Sequence, residues 1–165
     1  MKRLYVLRHA KSSWDDDGLA DHERPLNDRG QTAAPFMGRL MRERGFIPDA
    51  VFSSPATRAR ETAKLACEAA EIKQPIKFDE RIYEAGASTL AKVVSETDPK
   101  AGSAMIVGHN PGMEGLIRFL TGEAAAMPTA ALAVIDLEID DWAEISSGCG
   151  RLVKVLRPKT VGYLT

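Results

Sequence analysis

Apolar runs of strand length alternate along this chain with longer helical stretches, and that alternation restricts the fold more than any other feature. Residues 4–7 form a continuous apolar run, as expected of a strand buried on both faces, and the run stops at Arg8. A polar loop rich in aspartate (Asp15, Asp16, Asp17, Asp21) follows over 10–27. Asn27 is placed to cap a helix that runs to Arg44 and stops at Gly45, with Pro35 inside it. A second strand at 50–52 ends in Ser53-Ser54, and Pro55 is expected to open a helix to about Ala70. A third strand is expected at 76–78, a helix capped by Ser88 up to Glu96, a fourth strand at 104–107, and a helix from Pro111 to about Leu120. Runs at 131–137 and 152–156, with a turn-rich connection around 146–150, read as a closing antiparallel pair. The pattern predicts an α/β sandwich with a largely parallel sheet, and no repeat, low-complexity tract or linker divides residues 1–165.

Composition narrows the function classes. With 22 basic and 23 acidic side chains the net charge is -1, so bulk charge gives no reason to expect a nucleic acid or an acidic membrane as partner. An anion site must be local, made by folding a few cations together. Apolar residues make up 44% of the chain, enough to build a core. Cys67 and Cys149 are too few and too far apart for a disulfide framework or a metal site, and Cys67 reads as a small core residue. The run before Arg8 is too short for a signal peptide or a membrane span. The expectation is a soluble, cytoplasmic protein that needs no cofactor.

Chemistry gathers at the strand ends. The first strand ends at Arg8-His9, the second at Ser53-Ser54-Pro55-Ala56-Thr57-Arg58, and the fourth at Gly108-His109-Asn110-Pro111-Gly112. Open α/β sheets bind ligands outside the carboxyl ends of their strands, so Arg8, His9, Arg58 and His109 are expected in one crevice. Helices starting after Ser54 and His109 would aim their N-termini at it. A phosphoryl group suits such surroundings: guanidinium forks pair with its oxygens, and neutral imidazole attacks phosphorus at pH 7. Nearby positive charge keeps the imidazole neutral and stabilises charge in the transition state. Taken singly, each residue also has a bland explanation: a structural histidine, a loop histidine, a solvated helix arginine. Their order, each at a strand end, favours the chemical one.

These residues resemble the histidine phosphatase superfamily, with its phosphoglycerate-mutase-like fold. The segment Leu4-Tyr5-Val6-Leu7-Arg8-His9-Ala10 is similar to the family's opening Arg-His-Gly motif, with Ala10 in place of the usual glycine. The segment from Ser53 to Ala63 is similar to its second block, and Val107-Gly108-His109-Asn110-Pro111 to the block of its second histidine. Arg24-Pro25-Leu26 and Pro128-Thr129-Ala130 resemble the short SixA-type phosphohistidine phosphatases. The resemblance implies a three-layer α/β/α sandwich with a mostly parallel mixed sheet. It implies that His9 accepts the phosphoryl group, that Arg8 and Arg58 bind its oxygens, and that His109 completes the pocket. Arg24 and Asn110 become further phosphate or substrate contacts, and Glu84, in Arg81-Ile82-Tyr83-Glu84-Ala85, becomes the proton donor. Asp15, Asp16, Asp17 and His22 read as a solvated rim.

The implied function is hydrolysis through a phosphohistidine intermediate on His9, with phosphohistidine in a protein as substrate, because a chain this short has little left over for a lid. Three alternatives stay open: a phosphatase of a small phosphorylated metabolite, a non-catalytic phosphate-binding module, and a metal-dependent hydrolase using His9, His22, His109 and the aspartates. The last has no metal-ligand spacing such as His-Glu-x-x-His behind it.

Overall fold

The computed structural model describes residues 1–162. Its strands are β1 (Lys2–Arg8), β2 (Ala50–Ser53), β3 (Ile76–Phe78), β4 (Ser103–Gly108), β5 (Leu132–Leu137) and β6 (Gly150–Leu156). Its helices are α1 (Asp28–Arg44), α2 (Thr57–Ala70), α3 (Ala87–Ser95) and α4 (Gly112–Thr121). The six strands form one sheet in the order β3-β2-β4-β1-β5-β6. β1 to β4 are mutually parallel, whereas β5 runs antiparallel to both β1 and β6. The expected mostly parallel mixed sheet and its closing antiparallel pair are both present.

Strand periodicity builds the two apolar layers. In β1, Tyr5 and Leu7 join the layer under α1 and α2, while Leu4 and Val6 join the layer under α3 and α4. β4 divides in the same way, with Met105 and Val107 on one face and Ala104 and Ile106 on the other. Strands buried on both faces therefore read as unbroken apolar runs, and each Leu, Val, Ile or Met among these side chains contributes about 1.5–3 kcal/mol on burial.

Small residues bring α1 and α2 together. Ala59, Ala63, Ala66 and Ala70 of α2 are buried along the seam. A Cβ on Gly38 of α1 would lie 2.2 Å from the Ala66 carbonyl oxygen, so only glycine permits this approach. Asn27 caps α1 by accepting the Gly30 N–H, and Gly45 ends it in a left-handed conformation, both as expected. Two helix starts differ from expectation. α2 begins at Thr57, after Pro55 and the N-cap Ala56, and α3 begins after Gly86, which leaves Ser88 inside its first turn. Neither N-cap makes a side-chain hydrogen bond, so the side-chain capping signal was missing at both places. A short 3₁₀ turn, Trp142–Glu144, also lies between β5 and β6; Trp142 is fully buried and its indole N–H donates to the Ala101 carbonyl.

Candidate active site

The parallel register explains why distant residues meet. Arg8 pairs with Gly108 across β1 and β4, and Ser53 pairs with Val107 across β2 and β4. The residues just past the strands are thus side by side. The His9 N–H donates to the Gly108 carbonyl at 2.9 Å, and the Ser54 N–H donates to the Val107 carbonyl at 3.0 Å. The rings of His9 and His109 lie 5.2 Å apart, centroid to centroid. Connections from β1 leave toward β2 on one face, whereas β4 leads through α4 to β5 on the other. The site therefore sits where the winding changes direction. α2 and α4 both start at its edge, which adds positive electrostatic potential.

The cleft has a volume of about 520 Å³. Arg8, His9, Arg24, Arg58, His109 and Asn110 all line it, so six of the seven expected site residues share one cavity. Glu84 is absent from the lining. It is exposed, has a φ of 54°, and sits next to Tyr83, whose ring packs edge-on against His109 at 5.4 Å.

A hydrogen bond fixes the tautomer of His9, and a second holds the ring of His109. His9 Nδ1 lies 2.7 Å from the Ala10 carbonyl oxygen. A carbonyl only accepts, so Nδ1 carries the proton and Nε2 keeps its lone pair. His109 Nε2 lies 2.8 Å from Ser54 Oγ, which already accepts the Ala56 N–H. Ser54 Oγ can both donate and accept, so it pairs with Nε2 in either tautomer of His109. His109 Nδ1 is buried without a partner among the described residues, as is Arg8 Nε. Two unpaired buried nitrogens, one of them a guanidinium donor, in an arginine-lined cleft suit an anion.

Burial is the main reason both histidines stay neutral. It lowers the His9 pKa to about 4, helped by Arg58, Arg8 and Arg24 and opposed by the bond to Ala10. It lowers the His109 pKa to about 3, helped by His9 and Arg58. A stability effect follows. Below pH 6.5 an unfolded chain protonates these histidines, while the folded protein resists until the pH nears those lower values. The unfolded state then binds more protons, so stability falls as pH drops through that window. Thermal melts from pH 7 to pH 4 should show this fall, and it should be shallower in His109→Gln; parallel slopes for the two proteins would contradict the assignment.

Asp21 organises the cations. Its Oδ2 accepts from Arg58 Nη2 at 3.0 Å and from the Tyr83 hydroxyl at 2.7 Å, and its Oδ1 accepts from Arg24 Nη1 at 2.8 Å. Its backbone carbonyl accepts from Arg58 Nη1 at 2.7 Å. The Tyr83 bond and the two arginines hold this carboxyl well below the usual carboxylate range. Arg24 is further fixed by Ser13 O and Ser12 Oγ. Arg8 Nη1 donates to the Met127 carbonyl, which also accepts from the Asn110 amide. Asn110 is otherwise spent on Glu114 at the start of α4, so its amide positions Arg8 through a shared acceptor. Ala10, where the family has glycine, donates its N–H to Thr62 Oγ1 and buries its methyl group in the core.

Sequence reading passed over several residues of this cleft. Asp21 looked like one of several loop aspartates, and only its three-residue spacing to Arg24 hinted at a link. Trp14 is 74% exposed at the rim, with the Arg24 guanidinium 3.2 Å from its ring centroid. Tyr83 and Ser54 belonged to quoted segments but were given no role. Among the described residues, no group of three or more His, Cys, Asp or Glu side chains gathers as metal ligands, and no helix is long and apolar enough to cross a membrane.

Comparison with known proteins agrees with this geometry. The model of the histidine phosphatase superfamily (branch 1) matches residues 4–103, a span that contains His9, Arg24, Arg58 and Glu84. An uncharacterized Mycobacterium tuberculosis protein is 34% identical over 158 residues, covering 89% of this chain and 96% of its own. An Agrobacterium tumefaciens protein assigned to the SixA phosphohistidine phosphatases superposes with a TM-score of 0.82 at 31% identity, covering 95% of this chain and 98% of that one. A protein histidine phosphatase SixA complexed with tungstate shares the fold at a TM-score of 0.83 and 19% identity, covering 96% of this chain and 99% of that one. With its matched segment, its six-stranded sheet and its paired histidines all in agreement, the chain belongs to the histidine phosphatase superfamily.

Proposed function

We propose that the protein removes phosphate from phosphohistidine on another protein, passing it first to His9 Nε2 and then to water. The observation that carries this reading is the bond from His9 Nδ1–H to the Ala10 carbonyl, which leaves Nε2 as a lone pair inside the arginine cleft. In the first step that lone pair attacks phosphorus. The P–N bond of the substrate breaks, and its electron pair stays on the departing imidazole, which leaves neutral if its other nitrogen is protonated. Arg8, Arg58 and, in its Nδ1–H tautomer, His109 hold the three equatorial oxygens over which the charge of the loose transition state is spread, and Arg24 supports them from the rim.

The second step depends on the same carbonyl. With the proton held on Nδ1, the ring of phospho-His9 is an imidazolium, a good leaving group. Water attacks phosphorus, inorganic phosphate departs, and His9 returns as neutral imidazole without outside acid. Glu84, exposed beside Tyr83, is the proton donor we assign to slower leaving groups such as alkoxides. The exposed ring of Trp14 gives the mouth a flat apolar wall suited to an imidazole arriving on a protein surface. A cytoplasmic setting fits the two free cysteines, Cys67 and Cys149.

The test is to mix the protein with a phosphohistidine-bearing protein and trap the label. Acid-labile, base-stable phosphate should appear on His9 by mass spectrometry, followed by release of inorganic phosphate. A much higher kcat/KM on small phosphate esters than on the phosphoprotein would move the reading to a metabolite, and label on any other residue would remove His9 from its role.

A further inference from the structure

Beside the phosphate cleft lies a second cavity, of about 380 Å³, which the reaction above does not use. Lys11 and Thr129 form a wall of both. Its other cations come from separate parts of the chain: Arg29 from the first turn of α1, and Arg157 and Lys159 from the segment that leaves β6. Among the described residues its lining contains no Asp or Glu. In a chain whose basic and acidic side chains nearly balance, this is a local concentration of positive charge.

The cavity is held in shape by hydrogen bonds. Arg157 Nε donates to the Ala126 carbonyl at 2.9 Å. The Arg157 carbonyl accepts the N–H groups of Thr160 and Val161, which fixes the turn carrying Lys159. Ala33, Pro128 and Pro158 supply apolar surface between the charges. The two cation sets differ in kind. Arg24 and Arg58 are buried and partly neutralised by Asp21, whereas Lys11 and Lys159 are exposed. Buried forks suit the reacting phosphoryl group; exposed long side chains over apolar ground can reach singly charged carboxylates on short stems.

The geometry points to this cavity as the docking site for acidic side chains next to the phosphorylated histidine of a protein substrate. The inference rests on the phosphohistidine reading above and adds the sequence context of the substrate. The shared wall at Lys11 and Thr129 lets one polypeptide segment place its phosphoryl group in the first cavity and a neighbouring carboxylate in the second. Cations at an exposed rim act through orientation and encounter, so their effect should fade with salt.

The experiment uses two phosphohistidine peptides of equal length, one flanked by Glu and the other by Gln. The unlabelled Glu peptide without phosphate is also titrated by fluorescence anisotropy competition. At low salt the protein should turn over the Glu peptide with about tenfold higher kcat/KM, as two or three exposed ion pairs allow. Lys159→Glu should remove that preference, and Arg157→Gln combined with Lys159→Glu should reverse it. Equal kcat/KM on both peptides, or a preference that Lys159→Glu leaves intact, overturns the proposal. A propanediol bisphosphate turned over better than the Glu peptide overturns the acidic polypeptide as occupant. Anisotropy separates the two readings: peptide binding that Lys159→Glu abolishes, with neither phosphopeptide hydrolysed, supports docking and defeats phosphohistidine hydrolysis.

Discussion

His9→Ala is expected to lower kcat by about 10⁴-fold or more while the protein stays folded, because on the proposed mechanism it deletes the covalent nucleophile and with it the reaction path. The fold should tolerate the change. The His9 side chain makes its hydrogen bond to its own neighbour, Ala10, and its backbone N–H, paired with Gly108, is untouched. The anion site should also survive, since Arg8, Arg24, Arg58 and His109 remain in the cleft. Tungstate should therefore still bind within about tenfold of the wild-type affinity, while no acid-labile label accumulates. This combination separates an enzyme from a phosphate-binding module. A variant that folds, binds tungstate and keeps a tenth of the wild-type kcat would show that His9 is not the nucleophile.

The parts of the site that could be read from sequence are those fixed by strand ends. Arg8-His9 and Gly108-His109 each follow an apolar run, and in-register parallel strands must then place them together. Arg58 follows the end of β2 by a few residues on the helix that begins there. The caps at Asn27 and Gly45 were legible because each depends on local chemistry. Contacts made across loops were not. Asp21 meets Arg58 at a separation of 37 residues and Tyr83 at 62, and no periodicity encodes such pairs. The Met127 carbonyl that holds Arg8 is a backbone atom, which residue type does not reveal. Glu84 illustrates the limit in another way. Its segment matched the family, yet a left-handed backbone there turns on tertiary context, and its carboxylate ends up outside the cleft lining. The second basic cavity is legible only in three dimensions, since Lys11 and Lys159 lie near opposite ends of the sequence.

Arg58→Lys keeps the charge and should still lower kcat/KM by about 10²-fold, because the site uses the shape of the guanidinium as well as its charge. In the free protein Nη1 is held by the Asp21 carbonyl and Nη2 by the Asp21 carboxylate, so the fork is already fixed before substrate arrives. A lysine ammonium is a point donor on a flexible stem. It cannot span both Asp21 acceptors and still present a flat edge to two phosphoryl oxygens. Asp21 would keep Arg24 and Tyr83, so its loop should hold, and the loss should appear mainly in kcat because the fork is matched to the planar arrangement of oxygens reached in the transition state. Asp21→Asn provides the contrast. It leaves Arg58 intact but weakens the acceptor that aims it, so a smaller loss, about tenfold, is expected with tungstate binding largely kept. If Arg58→Lys retained kcat/KM within threefold of wild type, bidentate grip by Arg58 would be excluded, and Arg8 with His109 would be left to stabilise the transition state.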